Sequence, residues 1–168
     1  AERIFSDREK RIVMLAGPSA SGKTTTDGLI ASRLKSRGAK AFTVSLDDFY
    51  HDQRDAILDE NGRPDYETVN ALDIALIDSC LEDIIKNGTT RLPHFDFVSG
   101  RRSGFSDPIT LGKDDVLIVE GIHALNPVIT DSLPSENLME LYVSVSSRIA
   151  DEDGDVLMSK RDLRFVRR

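Results

Sequence analysis

From Gly17 to Thr24 the chain reads Gly-Pro-Ser-Ala-Ser-Gly-Lys-Thr: two glycines with four residues between them, then a lysine and a hydroxyl. This G-x-x-x-x-G-K-[ST] spacing is that of a phosphate-binding loop. Small residues let the backbone curl until its N–H groups point inward at phosphate oxygens. A helix starting at Gly22-Lys23-Thr24 adds the positive end of its dipole. In such a loop Lys23 bridges the β- and γ-phosphates and the Thr24 hydroxyl ligates Mg²⁺. The expected nucleotide contacts are therefore Gly17, Ser19, Ala20, Ser21, Gly22, Lys23, Thr24 and Thr25, with ATP and Mg²⁺ as ligands. The competing reading is a chance Gly/Ser-rich turn between a strand and a helix.

A phosphate loop does not name a reaction, because GTPases, ATPases and small-molecule kinases share it. An N-K-x-D guanine motif and an L-S-G-G transporter signature are both absent. The D-x-x-G spacing at Asp151–Gly154 comes late, in an acidic stretch that reads as a solvated loop. Two carboxylates are better placed. Asp47 lies in "SLDDFY", just after an apolar run, and the C-terminal end of a strand is where the crevice of an α/β sheet opens. There it can take the proton of an attacking hydroxyl; alternatively Asp47 and Asp48 simply cap the next segment. Glu120 ends "DVLIVEG", a position suited to Mg²⁺ or its water; the alternative is a strand-ending carboxylate without a partner. His123, three residues on, is assigned no role.

The elements that must position these groups are legible as periodicity. "RIVMLA", "KAFTVSL", "DVLIVEG" and "MELYVSVS" read as strands, the first and third apolar almost throughout, as in a parallel sheet covered on both faces. "GKTTTDGLIASRLKSRG" and "PDYETVNALDIALIDSCLEDIIKNG" read as helices ending at Gly38 and Gly88. In the second, Val69, Leu72, Leu76, Cys80 and Ile84 form an apolar stripe, so Cys80 is a packing residue. Residues 89–115 are irregular, with a hairpin or lid-like insertion around "RLPHFDFVSGRRSG". The alternation predicts an α/β fold with a doubly wound, mostly parallel sheet.

Composition bounds the rest. The chain has 168 residues, 30% charged, with a net charge of −7. That excludes a general attraction to nucleic acid or anionic membrane. One cysteine excludes an internal disulfide and a cysteine metal site, and fits a reducing, cytoplasmic compartment. No stretch approaches the ~20 apolar residues of a membrane span.

Taken together, "GPSASGKTT", "SLDDFY", "PHFDFVSGRR" and "VLIVEGIHALNP" resemble the uridine kinase and phosphoribulokinase family of phosphate-loop kinases, over about Arg11 to Arg168. The resemblance is closest to the uridine kinase-like branch. It implies that Asp47 is the general base and that Tyr50 lines the acceptor pocket. Asp65 matches the ribose-binding aspartate; without the family it reads as a carboxylate at a helix N-terminus. The family's P-x-Y-D-F pattern falls on Pro93–Phe97, which makes Phe95 and Phe97 acceptor contacts, and its later arginine falls on Arg102. "KRDLRFVRR" is similar to the start of the lid, so Arg164, Arg167 and Arg168 are expected on the ATP side, supplying charge to the transferring phosphoryl group.

Two departures qualify these expectations. Pyrimidine nucleoside kinases read the base with a tyrosine before Asp-Phe and a histidine four residues after that aspartate; here Phe95 and Gly100 stand there. Phe95 can stack but cannot donate a hydrogen bond, and Gly100 has no side chain. The chain also stops at Arg168 without a cap, where the family continues through its lid into another strand. The expectation is one phosphate-loop kinase domain over 1–168, incomplete at its C-terminus. Its expected reaction is ATP-dependent phosphorylation of a small-molecule hydroxyl, a nucleoside such as uridine or cytidine foremost. The alternatives are a non-nucleoside alcohol such as pantothenate or a sugar phosphate, or a regulatory module that only binds ATP. A small-molecule acceptor is the expected partner, not nucleic acid or membrane, and the resemblance allows a homo-oligomer.

Overall fold

The computed structural model describes residues 4, 6, 7, 9–144 and 148–166, apart from the side chain of Arg164. In chain order its elements are β1 (Ile12–Ala16), α1 (Lys23–Lys35), β2 (Ala41–Ser45), α2 (Ile74–Asn87), β3 (Thr89–Thr90), β4 (Pro93–Asp96) and β5 (Arg101–Phe105). There follow β6 (Ile109–Thr110), β7 (Val116–Gly121), α3 (Pro127–Thr130), β8 (Leu138–Tyr142), β9 (Ile149–Ala150), β10 (Val156–Met158) and α4 (Lys160–Val166).

All four runs expected to be strands join one sheet in the order β2-β7-β1-β8, and every pairing is parallel. Parallel neighbours need crossovers, which bring helices onto the faces and leave the inner strands dry. Accordingly all five residues of β1 are buried, as are the first four of β7. Side chains alternate between the faces. Ile12, Met14 and Ala16 pack with Ile77, Leu81 and Ile84 of α2, whereas Val13 and Leu15 pack with Ile30 and Leu34 of α1. Because the strands run the same way, the segments after β1, β2 and β7 all emerge at one edge, where the crevice of such a sheet forms.

The second helix is shorter than its apolar pattern suggests. It starts at Ile74, not near Pro64, because the Asp73 carboxylate caps it by accepting the Leu76 N–H at 3.1 Å. Its end matches expectation, with Gly88 in the left-handed region at φ 69°. Residues 64–73 instead run across the core's edge and include a single 3-10 turn at Val69–Ala71. Asp65 is therefore not a helix N-terminal carboxylate; it accepts the N–H of Glu67 at 2.9 Å. The irregular stretch contains the expected hairpin, β4 against β5, with a register shift between His94 and Phe95. The acidic segment Asp151–Asp155 is an exposed turn joining antiparallel β9 and β10. Among the described residues no helix is long and apolar enough to cross a membrane.

Candidate active site

The loop between β1 and α1 is shaped by two residues with left-handed backbone and one glycine at a close approach. Gly22 caps the helix at φ 101° and Ala20 sits at φ 57°, a left-handed value that a non-glycine residue adopts at some cost and that is found at functional turns. A Cβ on Gly17 would collide with the Val143 carbonyl and lie 2.8 Å from Ser21 Oγ. Gly22 brings no side chain to cap α1, and the first turn contains no acidic residue. The N–H groups at that end are thus left for an anion. Lys23 Nζ donates to Gly17 O at 2.9 Å and to Pro18 O at 3.4 Å. Ser21 Oγ is buried without a partner in the same loop. An orphaned hydroxyl, uncapped amides and a lysine form a donor set that fits a polyphosphate.

A cleft of about 310 Å³ opens over this loop. Ser19, Ala20, Gly22, Lys23, Thr24 and Thr25 line one side; Ser45, Asp47, Glu120, Gly121 and Ile122 line the other. Sheet register explains the grouping. Ser45 pairs with Glu120, and Glu120 with Leu15, so the carboxylate stands one strand, roughly 5 Å, from each neighbouring chain end. Gly121 permits the close approach, since a Cβ there would lie 2.8 Å from Leu46 Cβ. Glu120 is half-buried, and burial is the main reason its carboxyl sits above the ordinary glutamate value. Lys23 opposes that shift, and Asp27 and Asp47 add to it. Among the described residues there is no cluster of three or more His, Cys, Asp or Glu to hold a metal alone. Mg²⁺ needs none, because it is typically bound by one or two protein groups plus water and substrate phosphates. Thr24 and Glu120 fit that role.

Asp47 lies in a 3-10 turn, Leu46–Phe49, whose cap is Ser45: its Oγ accepts the Asp47 N–H at 3.3 Å. Neither aspartate is the cap. Asp48 instead turns toward the hairpin and accepts the Phe95 N–H at 3.1 Å. Asp47 stays exposed at the cleft, with the Tyr50 hydroxyl 3.2 Å from its Oδ1. That hydroxyl also donates to Tyr66 O at 2.8 Å. Burial, then the Asp47 charge, pushes the Tyr50 phenol far above the usual tyrosine range, so it remains protonated.

Four rings surround this point. Tyr50 lies 4.7 Å from Tyr66, 5.7 Å from Phe95 and 6.1 Å from Phe97 between centroids; Phe95 and Phe97 are 5.1 Å apart. Edge-on contacts of this kind favour a stable cluster. Phe95 is buried, whereas Phe97 is 59% exposed. Tyr66 was missed by sequence reasoning because its segment read as helix. His123 was left unassigned, yet its Nε2 lies 2.9 Å from Glu67 O.

The remaining expected contacts are dispersed. Arg102 is engaged with Asp73, NH2 to Oδ2 at 2.9 Å, and its N–H donates to Asp52 at 3.0 Å. Gly100, at φ 63°, is covered by the side chain of Gln53, and its carbonyl accepts the Gln53 N–H at 2.7 Å. Asp65 supports its own turn and does not line the cleft. The side chain of Arg164, and Arg167 and Arg168 entirely, lie outside the described residues.

The model of the phosphoribulokinase/uridine kinase family matches residues 12–161. A uridine kinase of Ligilactobacillus salivarius is 30% identical over 165 residues, covering 96% of this chain and 70% of the relative. Uridine-cytidine kinase C of Dictyostelium discoideum is 32% identical over 138 residues, 82% of this chain and 27% of the relative. Uridine kinase-like protein 5 of Arabidopsis thaliana is 30% identical over 151 residues, 89% of this chain and 29% of the relative. The chain thus spans less than a third of the length of these last two. The solved structure of a "Possible Uridine Kinase" from Bacillus stearothermophilus superposes with a TM-score of 0.61 at 17% identity, over 79% of this chain and 70% of that one. At that identity the likeness establishes the phosphate-loop α/β fold alone.

Proposed function

We propose that this chain, which belongs to the phosphoribulokinase/uridine kinase family, transfers the γ-phosphoryl group of ATP to a hydroxyl of an uncharged, ring-bearing small molecule, nucleosides foremost. The observation that carries this reading is the Tyr50 hydroxyl beside Asp47 Oδ1, which joins a surface of four aromatic rings to a carboxylate facing the phosphate loop. The loop amides and Lys23 grip the triphosphate. Thr24 and Glu120 would hold Mg²⁺, which when bound would neutralise charge on the phosphoryl oxygens. Asp47 accepts the acceptor's hydroxyl proton as the new O–P bond forms. The bond between the γ-phosphorus and its bridging oxygen breaks, giving ADP and a phosphate ester. Arg164, Arg167 and Arg168 are assigned to the ATP side by family resemblance only.

Charge argues for an uncharged acceptor. Among the described residues lining the cleft, Lys23 is the one cation, facing Asp47 and Glu120. Arg102, the family's arginine on the acceptor side, is bound by Asp73, and Arg54 by Asp55 at 3.2 Å. A carboxylate or phosphate on the acceptor, as in pantothenate or a sugar phosphate, would face these acids with Lys23, already committed to the triphosphate, as the one cation lining the cleft among the described residues. Phe97 offers a ring face for a planar base, and Asp65 and Arg102 remain secondary acceptor contacts in this reading. The test is ADP formation in Mg²⁺ against uridine, cytidine, pantothenate and sugar phosphates. Stimulation confined to nucleosides supports the reading. Stimulation by an anionic acceptor overturns the acceptor class, and ATP binding without any stimulation overturns the transfer itself.

A further inference from the structure

Residues 64–68, at the start of the acceptor wall, present two successive backbone carbonyls, each captured by a side chain from a different strand end. Tyr50, after β2, donates its hydroxyl to Tyr66 O at 2.8 Å. His123, after β7, reaches Glu67 O with Nε2 at 2.9 Å. A carbonyl only accepts, so His123 Nε2 carries the hydrogen, in the neutral Nε2–H tautomer or the imidazolium alike. Asp47 lies in the same turn after β2 that leads to Tyr50, and Glu120 stands near the end of β7, three residues before His123. The segment's other bonds run to its chain neighbours: Asp65 N–H to Ile57 O at 2.8 Å beside the Leu58–Pro64 bridge, Glu67 N–H to the Asp65 carboxylate at 2.9 Å, and the Asn70 and Ala71 N–H groups to Thr68 at 3.3 and 3.1 Å.

We infer that His123 is a positioning residue for the acceptor. By clasping Glu67 O it fixes the segment that carries Tyr66, and so sets the distance between the aromatic wall and Asp47. Small displacements of such a wall are costly, because transfer needs the acceptor oxygen held close to the phosphorus and correctly aligned. The link to an acceptor rests on the proposed kinase reading; the clasp itself does not.

The test uses the full chain, with His123→Ala and with His123→Gln, whose amide nitrogen can donate in place of Nε2. Backbone hydrogen exchange without ligand is measured first. The Asp65 and Glu67 amides are expected to exchange roughly 3–10 times faster in His123→Ala, the loss of one hydrogen bond. Met14 and Ile118 in the sheet are expected to be unchanged, and His123→Gln to recover most of the protection. With the acceptor that the wild-type chain uses best, acceptor KM is expected to rise about 3–10-fold in His123→Ala while ATP KM holds. Unchanged exchange at Asp65 and Glu67 overturns the clasp. Equal acceleration in the sheet, or KM values rising together, reduces His123 to a general stability role and overturns the inference. If the wild-type chain turns over no acceptor, the kinase reading falls while the exchange result still decides the clasp.

Discussion

One wall of the cleft, Gly17 to Thr25, is made of backbone: glycine turns, uncapped amides and a lysine folded onto Gly17 O, set directly on the driest strand of the sheet. The acceptor wall, which adjoins the cleft at Asp47 and runs on to Phe97, is made of side chains. Asp48 holds the hairpin, Asp52 and Asp73 hold Arg102, and Tyr50 and His123 hold the 64–68 segment, with four rings packed among them. A backbone wall has few ways to vary, since its geometry is dictated by sterics, and it suits a ligand that never changes. A side-chain wall can be recut residue by residue, which suits a family whose acceptors differ. Asp47 is where the two walls meet.

The contrast can be broken from either side. Away from the shared Asp47, the largest effect is expected for Gly17→Ala, whose new Cβ meets the Val143 carbonyl, so that the loop or β8 must shift. Calorimetry should show Tm falling by roughly 3–10 °C, and titration at least about tenfold weaker ATP binding, with or without acceptor. Normal binding and stability would mean that the phosphate wall is more pliable than its backbone suggests. An intermediate effect is expected for Phe97→Ala on the acceptor wall. The ring is mostly exposed, so folding should lose only about 1 kcal/mol, while acceptor KM rises several-fold and ATP KM stays constant.

The smallest effect sharpens the comparison at the shared carboxylates. Glu120 has a pKa raised chiefly by burial. An acid raised on folding holds its proton more tightly in the native chain than in the unfolded one. That contribution to stability is complete below the ordinary glutamate value and is lost as pH rises through the higher folded value. Glu120→Gln should therefore gain roughly 1–3 °C in Tm at neutral pH without Mg²⁺. The gain should shrink as pH is lowered toward 4.5, the ordinary value, and scanning fluorimetry across that range would show it. Activity in Mg²⁺ should fall even as the protein becomes more stable.

The same division decides what was legible in the sequence. The phosphate wall is local: strand, loop and helix are consecutive, so the motif from Gly17 to Thr24 states the strand–loop–helix geometry that the structure has. The parallel sheet was legible for a similar reason, because continuous apolar runs such as Ile12–Ala16 and Val116–Val119 require cover on both faces. The acceptor wall is non-local. Tyr66 belongs to a stretch whose apolar spacing imitates a helix, and only the Asp73 cap shows that the helix begins at Ile74. Arg102 pairs with Asp73, 29 residues earlier, a partner that no local spacing shows. His123 and Glu67 are 56 residues apart, and no spacing rule joins them. Gly100 read as an empty position, yet Gln53 covers it.

The most direct test of the account is Asp47→Asn in the full chain, measured as acceptor-dependent ADP formation beside ATP binding. The substitution keeps the shape of the side chain and removes its capacity to take a proton. The account predicts a loss of about 10²–10⁴ in kcat, with ATP affinity within about twofold of wild type, since the phosphate wall is built without this residue. Turnover retained within about tenfold would contradict it, and the general base would have to be sought elsewhere on the cleft.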